Sequence, residues 1–444
     1  MTASLPALRP LADADVDIAH GDTIDTAPSR NSREWVVIGA GIIGLSIALR
    51  LRQSGHDVLV LERSAVAAEA SRGNAGAYAF SDILPLASPG IVRQSPRWLI
   101  DPLGPLSLRP AHLPRIAPWL WRFWRASQPA AVTAGTAALA GLMRFAAHDT
   151  AALLDAVGAL PWLRSDGNLH CYESEAEWRA SLPGWAVRAA HGIVFDHLHG
   201  APALATLQPG LSPALVAATF VPGWQTIDDP LQLALRIAAV FEQLGGTLLR
   251  ANAVRLQPIN DCLRVHLDDG RRLTAHRVIV AAGAWSHRLA RTLGDRLPLE
   301  TERGYNTSLP AGAFDLKRQL TFSGHGFVVT PIAGGVRVGG AVELAGLDAA
   351  PNFHRAEVLL AKAKRFLPGL DTQGGTPWMG HRPSLPDSLP VIGPAPADPR
   401  VLYAFGHGHL GLTLSATTAN LVLALAQGRP PPIDLTPFRA NRFA

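Results

Sequence analysis

The chain has 444 residues, 48% of them hydrophobic and 17% charged, with a formal net charge of +5. That balance belongs to a globular protein, and the length suits two domains or one large interleaved pair. The positive charge is dispersed arginine, with lysine only at Lys317, Lys362 and Lys364 and no basic block among aromatics, so nucleic acid is excluded as a partner.

The two cysteines, Cys171 and Cys262, stand far apart in no metal or redox spacing, which fits a reducing compartment. No apolar run reaches the roughly 18 residues that span a bilayer. Residues 1–33 lack a basic n-region and an apolar h-region, so they read as a flexible leader and not as a secretory signal. The expected location is cytoplasmic.

Residues 35–51, WVVIGAGIIGLSIALRL, carry the first informative unit. Trp35 to Ile38 is a short apolar run suited to a buried parallel strand, and Ile43, Ile47 and Leu51 continue at helical spacing. Between them Gly39, Gly41 and Gly44 form G-x-G-x-x-G. Gly39 permits the tight turn, Gly41 lets the backbone (with Ile42) approach a pyrophosphate, and Gly44 lets helix and strand pack closely. The pyrophosphate then meets free N–H groups at the positive end of a helix. A second strand, Asp57 to Leu61, ends in Glu62, placed to accept hydrogen bonds from a ribose diol, with Arg63 beside it.

This unit binds a dinucleotide and leaves NAD and FAD open. A second small-residue turn follows at residues 69–76, EASRGNAG, with Ser71, Asn74, Ala75 and Gly76 as its hydrogen-bonding and turn residues. Two phosphate-cradling loops suit a cofactor lying extended across the sheet edge, which argues for FAD. The alternative is an ordinary surface loop with an Asn-containing turn.

Further strands of the same sheet lie far downstream. Pro230 to Leu244 has helical amphipathicity, Gly245-Gly246 ends it, and Thr247 to Val254 follows as a strand. Arg277 to Ala282 is another buried strand leading into Gly283-Ala284-Trp285-Ser286. Val401 to Phe405 is the last, with a helix expected from near Leu410. Residues 34–87, 224–296 and 378–444 therefore make the cofactor domain, and residues 88–223 and 297–377 a second, substrate domain. In the latter, FVVTPIAGGVRVGGAVEL predicts antiparallel strands and a hairpin near Ala333-Gly334-Gly335. The fold class is α/β: a Rossmann-like, doubly wound FAD-binding domain interleaved with an α+β substrate domain that contains an antiparallel sheet.

Arg382 stands in WMGHRPSLPDSLPVIG, where three prolines stiffen the chain around one permanent charge. Such rigidity points to a ligand. The alternative is a structural arginine capping carbonyls around the turn at Pro386-Asp387. His407 and His409, and the group His191, His197 and His199, show no familiar metal spacing, so no metal is expected. No nucleophile motif of the G-x-S-x-G kind occurs either.

Together VVIGAGIIG with Glu62, EASRGNAGAYAFSDILPLASPG, VIVAAGAWS, RGY at Arg303 to Tyr305, GHRPSLPDSLPVIG and GHGHLGLT resemble the D-amino-acid oxidase superfamily of FAD-dependent oxidoreductases. The likeness is closest to bacterial D-amino acid dehydrogenases and covers nearly the whole chain after the leader. It implies oxidative deamination of a D-amino acid to a 2-oxo acid and ammonia, by hydride transfer to the flavin. The alternatives are an oxidase of glycine, sarcosine or a cyclic imino acid, or the flavin subunit of an opine or hydroxyproline dehydrogenase complex. It gives Arg382 the substrate carboxylate, held by two parallel hydrogen bonds. It places Tyr305 beside the flavin, either closing over the substrate or as a packed strand aromatic. Gly408, His409, Leu410, Gly411, Leu412 and Thr413 would present a helix N-terminus to the flavin's pyrimidine end. Electrons would pass to a quinone, the respiratory chain or oxygen. With no cysteine near GHGHLG, a covalent flavin link is not expected.

Trp98, Trp119, Trp121 and Trp124 lie among Arg97, Arg109, Arg115, Arg122 and Arg125. This stripe reads either as a helix packed over the substrate domain or as a peripheral contact with the inner membrane or a quinone-bearing partner.

Overall fold

The computed structural model describes residues 32–88, 104 and 106–444. Trp98, Arg97 and most of the expected leader lie outside the described residues. Ser32 and Arg33, counted with the leader, already open the first strand.

Five strands form a parallel sheet in the order Thr247–Arg250, Val58–Glu62, Ser32–Ile38, Arg272–Val280, Val401–Phe405. Their apolar runs are buried on both faces, as a parallel sheet requires: Val36, Val37, Val60, Val278, Ile279 and Val280 are all inaccessible. The helices Ile42–Gln53, Pro230–Gln243 and Ser415–Ala426 cover one face. Asp229 caps the second of these, its carboxylate accepting from the N–H groups of Leu231 at 2.8 Å and Gln232 at 3.3 Å. The strand Arg272–Val280 also closes an antiparallel meander with Ala253–Ile259 and Cys262–Leu267. The strand expected over Thr247 to Val254 is thus two strands. The chain leaves the parallel sheet after Arg250 and enters the meander at Ala253, so Val254 belongs to the meander.

The second sheet is mixed, in the order Thr376–Ser384, Glu300–Pro310, Gly335–Leu344, Phe327–Ile332, Gln319–Phe322, Asn168–Tyr172, Ala217–Val221, Asp196–His199. The expected hairpin is present as Phe327–Ile332 and Gly335–Leu344, turning through Ala333-Gly334 with Gly334 at φ +77°. The boundary placed at residue 378 falls inside the strand Thr376–Ser384, so Trp378 to Ser384 stand in this second sheet. A three-stranded sheet of Ala77–Tyr78, Gln225–Ile227 and Leu163–Arg164 ties the two regions together.

The helix Pro129–Ala156 corrects a further expectation. By length and composition alone it is apolar enough to cross a membrane. Its Leu139, Leu142, Met143, Ala146, Leu153 and Leu154 are instead buried in one core with the cofactor-side helices. Although it belongs to the stretch 88–223 assigned to the substrate domain, it packs on the first sheet's helical layer.

Candidate active site

The carboxyl ends of the parallel strands open into a cavity of about 1050 Å3, whose far wall is the second sheet. Crevices at strand ends are where open α/β sheets bind ligands.

On the first wall the work is done by backbone. Gly39 sits at φ +110°, and a Cβ there would meet Ala281 O at 2.5 Å. A Cβ on Gly44 would stand 1.9 Å from Gly39 O. Gly41 precedes the helix without a side-chain cap, so the first turn beyond Ile42 keeps N–H groups for a ligand. Glu62 is locked at the strand end, accepting from Ala40 N at 2.8 Å and Ser64 N at 3.0 Å. Ser71 reaches across to accept from Ile42 N at 3.0 Å, which joins the two expected loops into one cradle. Asn74 closes the second loop on itself, donating to Ser71 O and accepting from Gly76 N. Arg63 lies 3.6 Å over the Trp285 ring and pairs with Glu69. These groups fit an extended dinucleotide: a glycine cradle that any side chain would fill, a ribose acceptor, and an aromatic–guanidinium stack at one end.

Of the expected cofactor residues, Gly39, Gly41, Ile42, Glu62, Arg63, Ser71, Asn74 and Ala75 line this cavity, as do Val254, Gly283, Trp285 and Gly408 to Leu412. Gly44, Gly76 and Thr413 do not line it; they brace it. Gly76 hydrogen-bonds the strand Gln225–Ile227 through its carbonyl, and Thr413 accepts from Ala79 N at 3.0 Å. The helix expected from near Leu410 begins at Ser415. Gly406 and Gly408, at φ +83° and +53°, turn the chain instead, so residues 406–413 form a glycine-rich turn in which Gly408 N donates to Pro383 O and Leu410 N to His407 O.

On the second wall the work is done by side chains. Arg382 lies across Gly304 on the neighbouring strand and reaches the next strand, donating to Ala341 O at 2.9 Å and Gly340 O at 3.5 Å. A Cβ on Gly304 would come 2.1 Å from its Nη2, so the glycine of RGY makes room for the guanidinium. Ala341 takes the left-handed conformation, φ +56°, in the irregular stretch where its strand slips register against Glu300–Pro310. Arg382 does bind carbonyls, though those of a strand two places away and not those of the Pro386-Asp387 turn. With two of five N–H donors engaged, three remain for a ligand. Burial favours its neutral form and the adjacent Glu302 charge opposes this.

Glu302 is buried beside Arg382 and accepts from His409 Nε2 at 2.9 Å. Burial alone favours its neutral acid. The hydrogen bond from His409, with the Arg382 charge, outweighs that and holds it below the ordinary carboxylate range. Asp82 faces the same space, 3.4 Å from Arg188, and burial pushes its carboxyl up. Tyr305 is spent inside the sheet: its hydroxyl donates to Glu343 and accepts from Asn352 N at 3.0 Å. Tyr305 also stands among the residues that line the cavity.

Two further side chains pin the cofactor loop from the substrate side. Asn306 donates to Gly73 O at 2.6 Å and Arg337 to Asn74 O at 2.5 Å. Neither they nor Glu302 carry a local motif. Their one sequence signal is the alternation that puts 302, 304 and 306 together on one face of a strand. Among the described residues no group of three or more His, Cys, Asp or Glu is placed to hold a metal. His407 bonds Thr418 Oγ1 at 2.9 Å, and burial pushes it down to about 3. His197 and His199 stand edge-on to Trp178.

A family model described as FAD dependent oxidoreductase matches residues 34–425. The chain is 35% identical over 421 residues to a D-amino-acid oxidase of Bradyrhizobium diazoefficiens, covering 93% of this chain and 99% of that protein. It is 30% identical over 428 residues to a D-amino acid dehydrogenase of Sinorhizobium medicae, covering 92% and 99%. Among solved structures, glycine oxidase from Geobacillus kaustophilus superposes with a TM-score of 0.71 at 21% identity, over 93% of this chain and 99% of that one.

Proposed function

The chain belongs to the DAO family of FAD-dependent oxidoreductases, and on that premise we propose that it oxidises a D-amino acid to an imino acid, which water hydrolyses to a 2-oxo acid and ammonia. The observation that carries the reading is Arg382: a fixed guanidinium facing the cavity with donors to spare, matched to a carboxylate. The names of the Bradyrhizobium and Sinorhizobium relatives support the D configuration.

FAD, when bound, would supply the hydride acceptor for the substrate Cα–H. The first-turn N–H groups beyond Ile42 would hold its pyrophosphate, Glu62 its ribose, and Arg63, Val254, Gly283 and Trp285 its adenine end. Ser71 to Ala75 and Gly408 to Leu412 would line the part of the cavity left for its ring. Arg382 orients the substrate carboxylate, and the apolar wall around Trp224 and Phe123 excludes water.

The test is anaerobic bleaching of the flavin with a panel of D- and L-amino acids, glycine, sarcosine and cyclic imino acids. D-amino acids are expected to bleach it; reduction by the others alone overturns the reading. Arg382→Lys is expected to lower kcat/KM about 100-fold while keeping the flavin, since the bidentate geometry is lost.

The electrons go to a quinone in a lipid surface in this reading. The helix Leu113–Ala126 turns Trp119, Leu120, Phe123 and Trp124 to the cavity, while Trp121 and Trp124 stand 53% and 50% exposed and Arg125 lies over the Trp121 ring. Sedimentation with anionic vesicles but not neutral ones is expected; recovery entirely in the supernatant, with peroxide formed from oxygen, overturns this part.

A further inference from the structure

We propose that His409 accepts a proton from the substrate ammonium, with Glu302 as the positioning residue that sets its tautomer. The inference rests on reading the Arg382 site as one for α-amino acids. Such a substrate arrives near neutral pH as a zwitterion. Its Cα–H leaves with an electron pair only when the adjacent nitrogen has a lone pair to give, so one ammonium proton has to go first. Arg382 holds the carboxylate and cannot take a proton.

The other titratable groups of this wall are committed elsewhere: His381, which also lines the cavity, is bonded through Nδ1 to Thr301 Oγ1 at 3.0 Å and stands edge-on to Trp285, and burial pushes it down to about 4. His407 is buried against Thr418, and Glu302 accepts from His409 next to the Arg382 charge. Asp82 is paired with Arg188. His409 differs. Its side chain is 38% exposed, it lines the cavity, and its single hydrogen bond runs from Nε2 to Glu302. A carboxylate can only accept, so the proton of the neutral ring sits on Nε2 and the lone pair on Nδ1. Nδ1 has no protein partner among the described residues.

Glu302 and Arg382 are directly paired on adjacent strands, so Arg382 and His409 flank one carboxylate. Arg382 and His409 both line the cavity, and the proposed pose rests the substrate carboxylate on Arg382 and turns the α-nitrogen, two bonds from the carboxylate carbon, towards His409. In the step one N–H bond of the ammonium breaks and an Nδ1–H bond forms, leaving a neutral amine and an imidazolium. The neutral amine then has the lone pair that closes the C=N bond as a hydride leaves Cα, for which a bound FAD would be the acceptor. Four charged groups surround the new imidazolium. Glu302 comes from the strand Glu300–Pro310 and Asp82 from the segment after Tyr78, with Arg382 behind the first and Arg188 behind the second. The two carboxylates stabilise the imidazolium, and water in the cavity receives its proton.

The experiment is anaerobic stopped-flow reduction of the holoenzyme across pH 6–10, for wild type, His409→Gln and Glu302→Gln. His409→Gln keeps an amide donor for Glu302, so the fold and the yellow cofactor are expected to survive. At pH 7 its limiting reduction rate is expected to fall about 100-fold, general-base catalysis being worth about 10²–10⁴. The fall is expected to shrink as pH approaches 10, where the substrate deprotonates unaided. Glu302→Gln is expected to move the same limb upward by a smaller amount. In His409→Ala, added imidazole is expected to restore part of the lost rate at pH 7. A His409→Gln profile parallel to wild type, or equal loss at all pH values without imidazole rescue, overturns the proposal. A wild-type flavin that no amino acid bleaches overturns the underlying reading as well, and is told apart by that.

Discussion

The two walls of the cavity solve the binding problem by different means. The nucleotide wall uses main-chain N–H groups at Gly41 and the turn beyond, with Glu62 held at a strand end. The substrate wall uses side chains, the charged Arg382 and Glu302 together with His409, and Glu302 and His409 are 107 positions apart in the chain. Backbone recognition is built from consecutive residues and is rigid because helix and strand are rigid. Side-chain recognition is assembled by strand pairing and keeps its geometry only while buried charges stay matched. The first should fail through sterics and the second through electrostatics.

The largest effect follows from striking the backbone wall. Gly44→Ala places a methyl 1.9 Å from Gly39 O, where only main chain can yield. Overpacking of this kind costs about 1–3 kcal/mol. The expected product is less stable and purifies with its absorbance near 450 nm largely lost. Full flavin occupancy would break the comparison. Gly304→Ala probes the other wall, where the methyl meets the Arg382 guanidinium at 2.1 Å. A displaced side chain is expected to raise KM about 10-fold, roughly 1.4 kcal/mol of binding, with flavin content and Tm nearly unchanged. Unchanged KM would mean that the guanidinium does not need its seat on Gly304.

The pH dependence of stability sharpens the electrostatic side. His407 is pushed from an ordinary 6.5 down to about 3 by burial. The folded protein therefore holds it neutral while the unfolded chain takes up a proton below pH 6.5. Its contribution is complete above that pH and is lost as pH falls from 6.5 towards 3, at up to about 1.4 kcal/mol per unit. His407→Asn is expected to flatten the acid limb of Tm against pH. The smallest effect is expected from Tyr305→Phe, which removes the bonds to Glu343 and Asn352 N. About 1–2 kcal/mol of stability should go, with KM changed less than about 2-fold. A large rise in KM would restore Tyr305 to the substrate.

Legibility in the sequence followed the same division. Gly39, Gly41, Gly44 and Glu62 lie within one strand–turn–helix–strand unit, so spacing alone locates them. Arg382 was legible because its prolines are local. Glu302, Asn306 and Arg337 were not, since their meaning depends on which strands pair and on the register slip near Ala341. The helix start at Ser415 escaped because a glycine-rich turn and a first helical turn share their composition. The break after Arg250 and the boundary at residue 378 escaped because a strand that passes between regions keeps the alternation of either.

The order of strands in the parallel sheet has a consequence for biosynthesis. Its central strand Ser32–Ile38 is made before its other strands, yet Val401–Phe405, which lies between Arg272–Val280 and Val391–Pro394, and the helix Ser415–Ala426 follow all the others. A ribosome therefore extrudes the glycine fingerprint long before the layer that must enclose it. Capture of the prosthetic group therefore waits for residues 401–426, and their loss is expected to abolish it as surely as loss of the fingerprint.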